Sequence, residues 1–243
     1  MISTLFNTFF YNPIYNTLVA LVALIPGSDV GVAIILLTVI IRLGLLPFSI
    51  SAARTQRMMK ILEPKLKSLR EQHKGDKEKE AQATLALYRE SKVNPFASIL
   101  IVFVQIPVLL ALYFVFLHEP LTTLNAARLY TFTPKPGAVS LQFLGFISVM
   151  GKSLTLAALA GMTQFLQARM ALQGTMKPSD QKGMQQDFQK VMGMQLQFVF
   201  PFIIATISFT TSAAIALYFI TTNAAGIWQE WYVREKLKQE ISE

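Results

Sequence analysis

The chain contains little charge for its length. Only 15% of its 243 residues are charged, whereas 53% are apolar. A soluble domain is usually closer to a quarter charged, so this composition indicates a membrane protein. There is no cysteine, which excludes disulfides, thiolate catalysis, cysteine-ligated metals and a lipid-modified N-terminal cysteine.

Residues 1–27 lack lysine and arginine. They therefore do not resemble a secretory signal peptide, which begins with a positively charged region, and we expect them in the mature protein.

Charge is nearly absent from four long apolar stretches, which predict five transmembrane helices. A helix needs about 20 mostly apolar residues to cross the hydrocarbon. The last stretch, 191–229, would form a helix about 58 Å long at 1.5 Å per residue, too long for one span. We therefore expect it to turn near "SFTTS". The predicted fold is an all-α polytopic membrane protein with its helices around a hydrophilic groove, and the spans cover residues 28–53, 93–117, 152–170, 191–207 and 211–230.

The distribution of positive charge predicts the orientation of these spans. Residues 54–92 contain 11 lysines and arginines, whereas residues 1–29 contain none. Positive charge accumulates in cytoplasmic loops. We therefore expect the N-terminus and the loop 118–151 outside, and the segments 54–92, 171–190 and 231–243 in the cytoplasm.

Two segments outside the spans have helical patterns. Residues 1–27 are interrupted by asparagine and proline, so we expect an outer interfacial segment with a short helix over "PIYNTLVALVAL"; a sixth span is the alternative. Segment 54–92 predicts a cytoplasmic helical hairpin that turns at "HKGD", with Asp76 capping the second helix. Pro64 predicts a helix start within the first half. The expected apolar positions are Met58, Leu62, Leu66 and Leu69 on the first helix, and Ala81, Leu85 and Tyr88 on the second.

Arg42 lies near the middle of the first predicted span, within "LLTVIIRLGLLPF". An arginine at the centre of a membrane helix costs about 2.5–3.5 kcal/mol on insertion scales. One interpretation is an ion pair inside the membrane, but the predicted spans offer no carboxylate for it. The other is a guanidinium in a hydrated groove that receives a negatively charged ligand.

Polar side chains in the other predicted spans are candidates to line this groove. Each one alone is equally consistent with hydrogen bonding between helices. Together they favour a wet cavity open towards the cytoplasm. The candidate substrate-binding residues are Arg42, Gln105, Gln164, Gln167, Gln195, Tyr218 and Asn223.

No catalytic or cofactor motif is present. The sequence lacks HExxH, GxSxG and a glycine-rich phosphate loop. We therefore expect no catalytic residue, no metal and no cofactor. The basic residues of 54–92 alternate with glutamate, which favours a solvated face or contacts with lipid headgroups or ribosomal RNA over DNA binding.

These segments together resemble the YidC/Oxa/Alb family of membrane-protein insertases along nearly the whole chain. The resemblance lies in "IILLTVIIRLGLLPF" with its intramembrane arginine, in "VNPFASILIVFVQIPVLLALYFVF", in "LAALAGMTQFLQARM" and in "SFTTSAAIALYFITTN". It implies an insertase that receives small nascent membrane proteins in the groove and releases their helices into lipid, without hydrolysing ATP itself.

The resemblance also implies partners and a location. Expected partners are nascent membrane proteins and membrane lipids, with the ribosome, the signal recognition particle receptor and the Sec translocon as further candidates, for a monomer in the bacterial plasma membrane. Two other classes stay open. A channel or transporter would use the arginine as an anion site but predicts internal repeats, and a structural assembly factor differs little in sequence.

Overall fold

A computed structural model of the chain describes residues 2–91, 97–119, 121–172 and 193–242. These residues are mostly helical, which confirms the all-α prediction. None of the described helices is by itself both long and apolar enough to cross a bilayer. Val30–Gly44 and Leu46–Met59 satisfy both conditions only together, as a broken pair. The five spans and their groove therefore stay predictions.

The chain forms two compact units. The first unit comprises Met1–Gly44 and Val104–Trp228, and the second comprises Leu45–Phe103 and Gln229–Glu243. Each is described separately below. The predicted cytoplasmic loop 171–190 lies almost entirely outside the described residues.

The first unit begins with helices that pack on one another through apolar stripes. α1 (Ile2–Phe6) and a π-helical turn (Asn7–Tyr11) lead into α2 (Asn12–Leu24), so the helix expected near residue 13 is present. A short 3₁₀ turn (Pro26–Ser28) joins α2 to α3 (Val30–Gly44). Both helices bury residues at the spacing i, i+3, i+4, i+7, which places those side chains on one face. The buried residues are Tyr15, Leu18, Val19 and Val22 on α2, and Val30, Ala33, Ile34 and Leu37 on α3.

α9 (Ala213–Ser242) contributes the central element of this unit. Every residue from Ala213 to Phe219 is buried, and a helix that is buried all round lies in the interior of a bundle. α8 (Phe200–Thr210) precedes it, and the break between them at Thr211 falls within "SFTTS" as predicted. α6 (Ala97–His118) adds Val108, Ala111, Leu112 and Val115 to the same core.

α7 (Leu154–Leu172) packs closely against α8 because a glycine lies at their contact. A Cβ atom added to Gly161 would lie 3.0 Å from the Ala205 Cβ and 3.2 Å from the Pro201 carbonyl oxygen. Small residues permit such approach between helix backbones. Nearby, the rings of Phe165 and Phe198 lie 5.7 Å apart, with Phe198 on the π-helical turn (Gln195–Val199) that precedes α8.

The second unit contains the charged hairpin. α4 (Leu46–Gln72) and α5 (Lys77–Glu90) are joined by a turn at Gly75, whose φ of +105° suits glycine. Asp76 caps α5, as predicted, by accepting a hydrogen bond from the Lys79 backbone at 3.1 Å. That bond and the Lys79 side chain lower the pKa of Asp76.

Two predictions about this hairpin are wrong. α4 continues through Pro64 without a new start, because the pairing of its buried Leu62 and Leu66 with α5 outweighs one lost backbone hydrogen bond. Ala81 and Leu85 are exposed. The predicted Tyr88 does pack against the Leu62–Leu66 pair, and Leu87, which was not predicted, packs there with it.

The last turns of α9 belong to this second unit and pack on α4 there. The Arg57 guanidinium forms an ion pair with Glu230 at 2.7 Å, and Gln229 donates to the Ser49 carbonyl at 2.7 Å. Ala53 and Val233 are buried together. α9 therefore extends as a helix through residues 231–242, which the sequence analysis described only as a tail.

A polar cluster ties the N-terminal helices to the loop after α6. Glu119 is buried. Its carboxylate accepts a hydrogen bond from the Tyr11 hydroxyl at 3.0 Å and forms an ion pair with Arg128, whose Nε lies 3.0 Å away. Asn16 donates to the Arg128 carbonyl and accepts from the Tyr130 amide and the Thr133 hydroxyl. Because these buried polar atoms have partners, residues 125–133 are fixed beside the N-terminal helices without regular secondary structure.

We expect Glu119→Ala to destabilise the protein by about 2–3 kcal/mol, because it leaves Arg128 partly buried without its carboxylate. The measurement is unfolding in detergent of Glu119→Ala, Arg128→Ala and the double variant. Lys79→Ala, which removes an exposed ion pair with Asp76, is the matched control and should change stability by less than about 1 kcal/mol. Additive effects of Glu119→Ala and Arg128→Ala would contradict a coupled pair.

The Tyr11 hydroxyl makes this cluster sensitive to alkaline pH. Burial and the hydrogen bond to Glu119 raise the pKa of Tyr11 to about 12, whereas an unfolded tyrosine ionises near 10. This contribution to stability is therefore complete below about pH 10 and is lost as pH rises towards 12. We expect melting temperatures to fall more steeply over this range in the parent chain than in Tyr11→Phe, and parallel curves would contradict the assignment.

Candidate site around Arg42

Arg42 lies in the last turn of α3, because that helix ends at Gly44 and α4 begins at Leu46. The sequence placed it in the middle of one continuous span. Pro47 explains the break, since proline lacks a backbone N–H and is suited to the first turn of a new helix. The Arg42 side chain is half-buried.

The structure brings three of the predicted residues together. The Gln105 amide on α6 donates a hydrogen bond to the Tyr218 hydroxyl on α9. Tyr218 is only 1% exposed, and its hydroxyl lies close enough to the Arg42 guanidinium for an electrostatic interaction. Arg42, Gln105 and Tyr218 therefore form a polar cluster supplied by three different helices.

Within the described ranges, Arg42 forms no ion pair, and its Nε atom is buried without a hydrogen-bond partner. The acidic residues that flank the predicted spans are engaged elsewhere. Glu119 binds Arg128 and Tyr11. Asp29 accepts backbone hydrogen bonds from Val32 and Leu144, and Glu230 binds Arg57. The carboxylates that could neutralise Arg42 from those positions are thus already occupied.

Asn223 links helices in this structure. It is 1% exposed, and its amide donates to the Ala160 carbonyl at 3.3 Å and to the Thr163 hydroxyl at 3.1 Å on α7. Gln167 lies one turn further along α7, and its amide rests against Gly226 of α9. These contacts match the alternative considered in the sequence analysis, in which a polar side chain in a membrane helix bonds to a neighbouring helix.

The remaining two candidates are placed differently. Gln164 is half-buried on α7, and Gln195 is exposed on the π-helical turn before α8. Among the described residues, Gln195 makes no hydrogen bond to the Arg42 cluster. Their part in binding stays a prediction.

Thr38 is a neighbour of Arg42 that the sequence analysis missed. It is 1% exposed and donates to the Ile34 carbonyl at 2.7 Å. It precedes Arg42 by four residues and therefore lies on the same helix face. The spacing of four residues is visible in the sequence. However, a threonine that bonds to its own helix backbone cannot be recognised from the sequence as part of a site.

Comparison with known proteins identifies the family. The family model described as 60Kd inner membrane protein matches residues 21–240. The chain is a member of this family. Similar proteins include "Membrane protein insertase YidC" from Azotobacter vinelandii, 32% identical over 96% of this chain and 37% of that protein. Another of the same name, from Ectopseudomonas mendocina, is 31% identical over 86% of this chain and 31% of that protein.

The family assignment confirms the resemblance seen in the sequence motifs, and its relatives are named for insertion rather than for a chemical reaction. The chain spans about a third of the length of these curated relatives.

We expect Asn223→Ala to lower the free energy of unfolding by about 1–3 kcal/mol, because it removes a buried amide that joins α7 to α9. Unfolding in detergent is the measurement. Gln195→Ala, an exposed amide, is the matched control and should change stability by less than about 0.5 kcal/mol. Unchanged stability in Asn223→Ala would contradict the linking role.

Proposed function

We propose that this chain is a membrane protein insertase that receives nascent membrane proteins in a hydrated intramembrane groove centred on Arg42. The family membership and the names of its relatives support the activity. The observation that carries the mechanism is the half-buried Arg42, which has no carboxylate partner among the described residues. The proposed binding residues are Arg42, Gln105, Gln164, Gln167, Gln195, Tyr218 and Asn223; Gln167 and Asn223 also contact the neighbouring helix, so their part in binding would come in addition to that contact.

The proposed role of Arg42 is electrostatic attraction. A nascent membrane protein must move its polar outer segment out of the cytoplasm, and acidic residues in that segment would approach the guanidinium. At about 6 Å and an effective dielectric of about 40, the attraction is about 1.4 kcal/mol. This value favours entry while still permitting release.

Release needs no chemical energy in this proposal. Transferring the apolar helix of the client into lipid is favourable by about 25 cal/mol for each Å² of apolar surface removed from water. This term exceeds the attraction to Arg42 once about 60 Å² have been transferred. The chain therefore acts without hydrolysing ATP, and the polar groove lowers the barrier for the outer segment.

The proposed location is the bacterial plasma membrane, with five spans, the N-terminus outside and the C-terminus in the cytoplasm. The basic hairpin of α4 and α5 would then face the cytoplasm, where the candidate partners are the ribosome, the signal recognition particle receptor and the Sec translocon. Residues 54–92 contain 11 basic and 6 acidic side chains, and the net charge of +5 suits anionic partners.

Arg42→Ala tests the electrostatic role. We expect a loss of about tenfold in the insertion rate of a single-span client with an acidic outer segment, which corresponds to about 1.4 kcal/mol. Arg42→Lys should retain most of the activity because it keeps the charge. The measurement is protease protection of the client after synthesis in the presence of proteoliposomes.

The controls separate the charge of Arg42 from other effects. A client with a neutral outer segment should be affected much less by Arg42→Ala. Arg169→Ala, which removes an exposed cation from α7, should insert both clients at the parent rate. Normal insertion of the acidic client by Arg42→Ala would refute the electrostatic mechanism.

A further inference from the structure

The loop after α6 contains a small β-hairpin with an apolar, exposed tip. Strands β1 (Gln142–Phe143) and β2 (Ile147–Ser148) pair antiparallel, and we call Leu144, Gly145 and Phe146 the hairpin tip. Leu144 is 59% exposed and Phe146 is 73% exposed. The flanking Phe143 and Ile147 pack against the core of the first unit. The hairpin thus has one face in the protein and an apolar tip outside it.

The residues at this tip are unusual for such a turn. Leu144 has φ of +53° and Gly145 has φ of +84°, a combination for which asparagine followed by glycine is preferred. Leucine is strained at positive φ, because its Cβ approaches the backbone. An exposed leucine at this position therefore gains nothing from the turn itself or from the core.

The tip is held firmly to the first unit. The Leu144 amide donates to the Asp29 carboxylate at 2.8 Å, and the Val149 carbonyl accepts from the Ala214 amide at 2.9 Å. The Phe143 side chain packs on Gly31, where an added Cβ atom would lie 2.7 Å from the Phe143 Cγ. These contacts fix the hairpin beside the first turns of α3 and α9, so the tip cannot fold back to bury its apolar side chains.

Exposed apolar residues and one lysine follow the tip in the chain. α7 begins directly after the hairpin with Leu154, which is 71% exposed. Lys152 lies with its Nζ atom 6.0 Å from the centre of the Phe209 ring. Between Glu119 and Asp180 the sequence contains no carboxylate, and before α7 it contains Lys135 and Lys152 besides Arg128, which pairs with Glu119. The Asp29 carboxylate beside the tip accepts a hydrogen bond from the Leu144 amide. Apolar side chains next to lysines are typical of segments that contact anionic lipid headgroups.

We propose that the hairpin tip inserts Leu144 and Phe146 into the headgroup and upper acyl region of the outer leaflet, as an anchor for the external end of the helices. A protein partner is disfavoured because two side chains cover far less than the roughly 800 Å² that each side of a stable interface buries. This inference rests on the proposed membrane location and is independent of insertase activity.

The absence of cysteine permits a direct test with single-cysteine variants. Phe146→Cys is labelled with an environment-sensitive fluorophore and reconstituted into vesicles of phosphatidylcholine and phosphatidylglycerol. Quenching is measured with nitroxide lipids, labelled near the headgroup or deep in the acyl chain, and with iodide in water. Ala81→Cys, exposed on the charged helix α5, reports an aqueous site, and Leu159→Cys, exposed on α7, reports a site within the membrane.

We expect the Phe146 label to be quenched by the shallow nitroxide lipid and shielded from iodide, at a depth of about 5–10 Å below the headgroups. Iodide quenching equal to that of Ala81→Cys would overturn the proposal. Shielding from both iodide and lipid would also overturn it, because the tip would then be covered by protein. If the Leu159 label is also unquenched by lipid, the proposed membrane location fails rather than the anchor alone.

Leu144→Asn in the Phe146→Cys background tests whether Leu144 contacts lipid or stabilises the hairpin turn. Asparagine tolerates positive φ, so thermal stability should be unchanged or higher. Lipid quenching of the Phe146 label should fall and iodide quenching should rise. Reduced stability with unchanged quenching would overturn the role of Leu144.

Discussion

A charge removed from bulk water must have a partner, and this requirement organises the polar residues of the chain. Glu119 is balanced by Arg128 and Tyr11, Asp29 by backbone amides, and Glu230 by Arg57. Each of these carboxylates stabilises the fold locally. Arg42 is the exception among the described residues, since it forms no ion pair there and its Nε atom is buried without a hydrogen-bond partner. The carboxylates that flank the predicted spans are engaged elsewhere, and for this reason we propose Arg42 as the group that attracts a ligand.

Structural and candidate binding residues share the same helices. Asn223 and Tyr218 lie on α9, five residues apart, yet Asn223 joins α9 to α7 while Tyr218 faces Gln105 and Arg42. The difference arises from the helical repeat, because residues five apart point in different directions. A polar residue in an apolar helix is therefore not by itself evidence of a binding surface. Its contacts decide whether it links helices or remains available.

The N-terminal helices and residues 125–133 are held together by side chains rather than by regular structure. Asn16 accepts two hydrogen bonds from the loop after α6 and donates one to it. From the sequence alone, the asparagines of residues 1–27 indicated only that the apolar stretch is too interrupted to form a membrane span. Their actual partners lie more than 100 residues away, at Arg128, Tyr130 and Thr133. No local pattern predicts such pairs, because they depend on how the chain returns to the same place.

The sequence by itself determined the helical content, the site of the turn within "SFTTS", the cap at Asp76 and the family, because hydropathy, turn residues and motifs are local signals. Tertiary structure decided the rest. It continued α4 through Pro64, selected Leu87 over Leu85 for the hairpin contact, and gathered Arg42, Gln105 and Tyr218 from three helices. These outcomes follow from packing between distant segments, whose energy exceeds the small preferences of single residues.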